Sequence, residues 1–236
     1  MLQIADRLLQ VKNRIDQACT LASRASSSVI LLAVSKTHDA QAVQQAYNAG
    51  QRHFGENYIQ EAIEKITHLK SYRQQITWHL IGPLQSNKTK LAAENFDWIQ
   101  SIDRLKIAQR LSDQRPENLP PLNVCIQVNI SEEDSKSGIS ADAVGELCTE
   151  VAQLPRINLR GLMTIPEPGS ASSSLITMNQ LFKKIQGQLH QYNLAPQFDT
   201  LSMGMSDDLE QAIAAGSTMV RIGTAIFGTR PIKQSI

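Results

Sequence analysis

Val29-Ile30-Leu31-Leu32-Ala33-Val34-Ser35-Lys36 is a short apolar run, rich in β-branched residues, that ends on a lysine. A continuous run of this length is the pattern of a strand covered on both faces, as in a parallel sheet. Thr37, His38 and Asp39 follow, residue types that turn the chain and cap a helix. Holding an amine half-buried at a strand end is costly unless it has a task. Burial lowers an amine's pKa and makes it a nucleophile towards carbonyl compounds. Taken alone, Lys36 is explained more simply as a side chain whose stem lies along the strand end and whose head reaches water. The rest of the chain has to decide between the two.

Outward from this run, strand and helix patterns alternate to both ends. Residues 1–25 carry Ile4, Leu8, Leu9, Val11, Ile15, Ala18 and Leu21 close to a helical stripe, and residues 39–49 repeat the period before Gly50. Strands are expected at 52–57, 77–82, 98–103, 122–130, 159–165, 200–205 and 219–227. Helices are expected at 58–69, 87–95, 104–113, 141–153, 175–192 and 207–215, with polar loops at 131–140 and 169–174. In the helix at 58–69, Ile59, Ala62, Ile63, Ile66 and Leu69 form the expected inward stripe. Eight strand–helix repeats without a composition break predict one (β/α)8 TIM barrel over residues 1–236, with an extra N-terminal helix. A doubly wound open sheet is the competitor, but no G-x-G-x-x-G follows the first strand.

The composition removes several classes. Among 236 residues, 42% are hydrophobic and the formal net charge is +1, so no global field draws nucleic acid or a membrane surface. Cys19, Cys125 and Cys148 are scattered and odd in number, which fits buried thiols of a reducing, cytoplasmic setting. No signal-peptide core, membrane-length apolar stretch or metal-spaced Cys/His cluster is present in the sequence.

In such barrels chemistry gathers at the carboxyl ends of the strands. Those ends offer Lys36, Glu56-Asn57, His79, Gly82-Pro83, Asn129, Met163-Thr164, Ser202 to Ser206, and Arg221 to Thr224. Several have plain structural explanations. His79 alone suits a satisfied core histidine, Asn57 a strand end, and Met163, Met203 and Met205 packing. Ser202-x-Gly204-x-Ser206 and Gly223-Thr224 combine hydroxyls and glycines with a helix start, the parts of a phosphate site after the last two strands. Asp207 and Asp208 oppose that reading unless they cap the helix and face solvent. Arg221 shares a strand face with Gly223 and is suited to a phosphate or a ring nitrogen. A carbonyl-reactive lysine beside a phosphate cradle suggests a phosphorylated aldehyde, pyridoxal 5′-phosphate (PLP) above all, with a phosphosugar aldolase as the alternative.

At these same residues the chain resembles a known family. Ala-Val-Ser-Lys (33–36), Phe-Gly-Glu-Asn-Tyr (54–58), Trp-His-Leu-Ile-Gly-Pro-Leu-Gln-Ser-Asn-Lys (78–88), Lys-Ser-Gly-Ile (136–139), Gly-Leu-Met-Thr-Ile-Pro (161–166), Leu-Ser-Met-Gly-Met-Ser-Asp-Asp (201–208) and Val-Arg-Ile-Gly-Thr-Ala-Ile-Phe-Gly (220–228) closely resemble the YggS-type PLP homeostasis proteins. The resemblance implies a barrel of the alanine-racemase-like PLP type. In it Lys36 carries PLP as a Schiff base, with Asn57, His79 and Met163 beside it. Ser202, Ser206, Gly223 and Thr224 hold the phosphate, and Arg221 faces the pyridine nitrogen. It also implies a factor that binds PLP and affects vitamin B6 and amino-acid balance, without an established reaction. Beyond the resemblance, the chain is expected to pass PLP to apo-enzymes and, lacking a partner-contributed domain, to be a monomer. A racemase of this type takes its second acid/base from a C-terminal β domain. Eight residues follow Gly228, so no such domain is expected and a weak racemase is the second choice. Lys136 is the alternative attachment point.

Overall fold

The computed structural model describes residues 3–130, 137–165 and 171–229. Nine strands appear among them: β1 (Ile30–Val34), β2 (His53–Glu56), β3 (Thr77–Leu80), β4 (Trp98–Ile102), β5 (Leu122–Asn129), β6 (Ile139–Ser140), β7 (Ile157–Met163), β8 (Thr200–Ser202) and β9 (Met219–Ile222). The helices are α1 (Ile4–Leu21), α2 (Ala40–Asn48), α3 (Ile59–His68), α4 (Thr89–Asn95), α5 (Leu105–Gln114), α6 (Val144–Ala152), α7 (Ala171–Gln191), α8 (Leu209–Ala214) and α9 (Thr224–Phe227). Every strand pair is parallel. The ring runs β1-β2-β3-β4-β5-β7-β8-β9, and the pairing of β9 with β1 closes it. That closure excludes the open doubly wound sheet.

Alternation along each strand sorts the side chains into two cores. Ala33, Phe54, Trp78, Ile99, Val124, Leu162, Leu201 and Val220 are buried in the apolar layer between the ring and its helices. Trp98, Cys125 and Met163 form a separate buried cluster, and Leu32, His79, Gln100, Ser202 and Arg221 are buried apart from the apolar layer. Gln100 on β4 bonds Ser202 on β8, strands far apart around the ring, so these side chains meet in the barrel's interior. This lumen is therefore partly polar, where such barrels are commonly filled with branched apolar residues.

The structure corrects several expected boundaries. The last strand stops at Ile222; Gly223 begins the short helix α9, so only the first half of 219–227 is strand. An apolar run such as Ala-Ile-Phe does not distinguish a strand from a buried helical turn by its period. The strand expected at 200–205 ends at Ser202, because Gly204 turns the chain at φ 96°. A Cβ at Gly204 would stand 2.4 Å from Ala212 Cβ, so α8 packs directly on that turn. The end of the polar loop expected at 131–140 is β6, which pairs with Val128 and Asn129 of β5. Helix α7 begins at Ala171 rather than 175. The N-terminal helix α1 exists as expected and buries Ile4, Leu8, Val11, Ile15, Ala18 and Cys19 against the barrel. From α1, Arg14 bonds Glu210 at 2.9 Å and the Ser206 carbonyl at 3.0 Å, fastening the segment after β8.

Candidate functional site

The turn after β1 is held unusually firmly. Asp39 caps α2 as expected, accepting from the Ala42 amide at 2.8 Å. Thr37 has a left-handed backbone, φ 68°, which a β-branched residue adopts only under constraint. The constraint comes from α3. Thr37 N–H donates to Glu61 Oε1 at 2.6 Å, and Lys65 Nζ donates to the Ser35 carbonyl at 2.7 Å. The peptide groups on both sides of Lys36 are therefore gripped by one helix. Lys65 also pairs with Glu56 and Glu61, each at 2.7 Å, while Ser35 Oγ donates to Glu56 at 2.6 Å. Burial pushes the Glu56 carboxyl above its usual range, and Lys65 and Ser35 pull it back.

Sequence reasoning missed this cluster. On α3 the apolar period pointed Ile63 inward, but Ile63 is half-buried and Lys65 is buried instead. The signal available was position: Lys65 lies three residues after Ala62 and four before Leu69, on the same helix face. Buried carboxylates attract the amine there, and a hydrophobicity pattern carries no information about such a partner.

Ring closure brings distant sequence segments to one arc of the mouth. Val34 stands beside Gly55 on β2, and a Cβ at Gly223 would lie 3.2 Å from the Val34 carbonyl. Lys36 thus emerges between Glu56-Asn57 and Gly223-Thr224. Next around the ring come β8 with Ser202, then β7 with Met163 and Thr164. His38 stacks on Phe227 with ring centres 5.2 Å apart, tying the Lys36 turn to α9. Thr37 Oγ1, Glu56 Oε2 and Asn57 Oδ1 are buried and have no hydrogen-bond partner among the described residues. Leaving such atoms unsatisfied is costly, and two of them, on Thr37 and on Asn57 at the end of the neighbouring strand, are candidates to meet a polar ligand at Lys36.

The nominated residues fall into two groups. Lys36, Asn57, Ser206, Gly223 and Thr224 flank the mouth, whereas His79, Met163, Ser202 and Arg221 are buried in the lumen. Arg221 donates to the Ser202 carbonyl at 2.8 Å, Ser202 Oγ at 2.9 Å and the Thr164 carbonyl at 2.7 Å. Burial lowers its pKa to about 10, so it stays protonated at neutral pH. Ser202 Oγ also donates to Gln100 at 2.7 Å, leaving this hydroxyl engaged inside the barrel. His79 contacts His53 at 3.1 Å and Gln100 at 3.0 Å, and stacks on Trp98. Burial, then His53, holds its pKa well below the usual histidine range. Met163 packs with Trp98 and Cys125.

After β8, Asp208 does not face solvent as expected; it is buried and accepts from the Met205 amide at 2.5 Å. Asp207 is exposed. The Cys125 thiol is pushed up by burial, and that of Cys148 up to about 12, consistent with inert core residues. Among the described residues no helix is long and apolar enough to cross a membrane. Lys136 lies outside the described residues.

Residues 8–231 match the family model described as alanine racemase, N-terminal domain. The chain is 55% identical over 232 residues to the pyridoxal phosphate homeostasis protein of Escherichia coli (strain K12), covering 98% of both chains. It is 52% identical over 230 residues to the protein of that name from Pasteurella multocida (strain Pm70), covering 96% of this chain and 97% of that one. Among solved structures, PipY of Synechococcus elongatus PCC7942 with PLP bound is 38% identical, with a TM-score of 0.77, and matches 96% of this chain and all of that one (100%). Alanine racemase from Corynebacterium glutamicum, 16% identical with a TM-score of 0.66, shares the fold over 98% of this chain and 63% of its own.

Proposed function

This chain belongs to the pyridoxal phosphate homeostasis family, within the alanine racemase N-terminal domain fold, and on that premise we propose that it binds PLP through Lys36 and delivers it without turning over an amino acid. The observation that carries the reading is the gripped turn: a lysine with both flanking peptides fixed, next to buried atoms that lack partners among the described residues.

The residues fit a phosphorylated aldehyde. Lys36 supplies an amine that condenses with the aldehyde, forming a C=N bond and releasing one water. Asn57 Oδ1 and Thr37 Oγ1 are the polar atoms that such a ligand satisfies. Gly223 and Thr224 open α9, where the first amides of a helix have no acceptor within it. With Ser206 they are the residues we assign to the phosphate. Ser202 we assign to Arg221 instead, since its hydroxyl is engaged there. When bound, PLP withdraws electrons from amines attached to it. Arg221 limits that withdrawal: a guanidinium only donates, so a ring nitrogen facing it must accept and stay unprotonated.

The state of His79 supports delivery without catalysis. His79 is neutral and both its ring nitrogens have partners. Stereochemical inversion needs positioned proton transfer on both faces, each worth about 10²–10⁴-fold. The protein is expected to act as a cytoplasmic monomer with apo-enzymes as recipients. The test is to incubate the PLP-loaded protein with a PLP-requiring apo-enzyme and, separately, with L-alanine. Activation of the apo-enzyme with alanine staying optically pure supports the reading. Sustained racemisation that disappears in Lys36→Ala contradicts it.

A further inference from the structure

We propose that Gln100 is a positioning residue: its amide fixes the direction of a hydrogen-bonded chain through the barrel and thereby aims the Arg221 guanidinium at the mouth. The inference deepens the PLP reading and rests on it for what Arg221 faces.

The direction follows from donor and acceptor chemistry alone. Arginine only donates, so Ser202 Oγ accepts from Arg221. The Ser202 proton then goes to Gln100 Oε1 at 2.7 Å. The other end of that amide lies 3.1 Å from Met219 Sδ, an acceptor that has no proton to give, so this end is the NH2 group. The same nitrogen lies 3.0 Å from His79 Nδ1, which must therefore be the unprotonated ring nitrogen. The His79 proton sits on Nε2 and points to His53 Nδ1 at 3.1 Å. His53 in turn carries its proton on Nε2. Four hydrogen bonds thus run in one sense through five side chains from five strands, from Arg221 to His53, with both tautomers dictated.

Gln100 is the one member of the five whose donor and acceptor ends sit on one planar group and cannot exchange by tautomerism, as those of a histidine can, so it sets the direction that the two histidines follow. Its burial, and that of His79, keeps water from supplying substitutes. Removing the amide leaves Ser202 without an acceptor for its proton. Ser202 then competes for the carbonyls that Arg221 uses, and the guanidinium loses its fixed plane. The lowered pKa of His79 agrees with this, because the chain requires a neutral imidazole.

The experiment uses the full chain without cofactor and then with PLP. Long-range proton–nitrogen NMR of the cofactor-free protein is expected to show His79 and His53 as Nε2–H tautomers. In Gln100→Glu the carboxylate accepts from Ser202 but donates nothing to His79, so both histidines are expected to switch to Nδ1–H. Gln100→Leu takes the acceptor from Ser202, and loading it with PLP reads the consequence at Arg221: a displaced absorbance maximum and release about tenfold faster than wild type, the size of one weakened charge-assisted hydrogen bond. Gln100→Met, a second variant without the acceptor oxygen, is expected to shift the same band, whereas Gln100→Glu, which keeps the Ser202 acceptor, is expected to hold release near the wild-type rate. Nδ1–H tautomers in the wild type would overturn the chain's direction. A wild-type band and release rate in Gln100→Leu and Gln100→Met would overturn the positioning role. A wild type with the expected tautomers that takes up no PLP would sink the functional reading, and the positioning role with it.

Discussion

The Thr37 amide donates to Glu61 Oε1 at 2.6 Å from a left-handed backbone, so a residue on α3 holds the turn that presents Lys36. A β-branched residue in that region carries strain of order 1–3 kcal/mol, which the surroundings must offset. Glu61 and Lys65 do so by gripping the peptides on either side of the lysine.

Glu61→Ala should therefore let the turn relax and misplace Lys36. Losing a hydrogen bond to a charged group costs about 1.5–3 kcal/mol, so PLP affinity is expected to fall about tenfold or more. Adding Thr37→Gly removes the strain, because glycine adopts this backbone freely, and should restore part of the affinity. Equilibrium titration of the single and double variants decides it. Wild-type affinity in Glu61→Ala would mean the grip does not aim the lysine.

Stability should depend on pH through His79. Its folded pKa is depressed by burial, while the unfolded chain titrates near 6.5. The unfolded state thus binds the extra proton first. Stability is fully present above about pH 6.5 and is lost as pH falls, by up to about 1.4 kcal/mol per unit from this group. Urea unfolding at several pH values between 5 and 7.5 measures the slope. His79→Gln should make it shallower, with His53 and His38, also held low by burial, supplying the remainder; an identical slope in the variant would assign the dependence to those groups alone.

Ser206 and Ser202 should behave differently. Ser206→Ala is expected to weaken PLP about tenfold or more while leaving pyridoxal, which lacks the phosphate, unaffected. Ser202→Ala should disturb both ligands alike, through Arg221. Titration of both variants with both ligands separates the roles. Equal weakening of the two ligands by Ser206→Ala would show that this serine does not contact phosphate.

The barrel was legible because each strand is a short run covered on both faces and each helix shows its own period. Lys36, Asn57 and Gly223-Thr224 could be assigned to one end because strand ends are visible as the places where apolar runs meet glycine, amide or charge. What the sequence did not show were contacts across the ring. Nothing in the run Trp98 to Ile102 indicates that Gln100 reaches Ser202, 102 positions further on. Nor does helical period reveal that Lys65 turns inward to Glu56 rather than outward to water. Ser202 and Ser206 look equivalent in Ser-x-Gly-x-Ser, and only the turn at Gly204 separates the buried hydroxyl from the one nearer the mouth.

Attachment of PLP to Lys36 is the central claim, and borohydride reduction followed by peptide mapping tests it most directly. The purified protein is mixed with PLP, its absorbance recorded, and the C=N bond reduced before digestion and mass spectrometry. The expected result is one reduced pyridoxyl group on the peptide carrying Lys36, and loss of both the band and the adduct in Lys36→Ala. An unchanged band in Lys36→Ala, with the adduct on Lys136 or another lysine, would contradict the account.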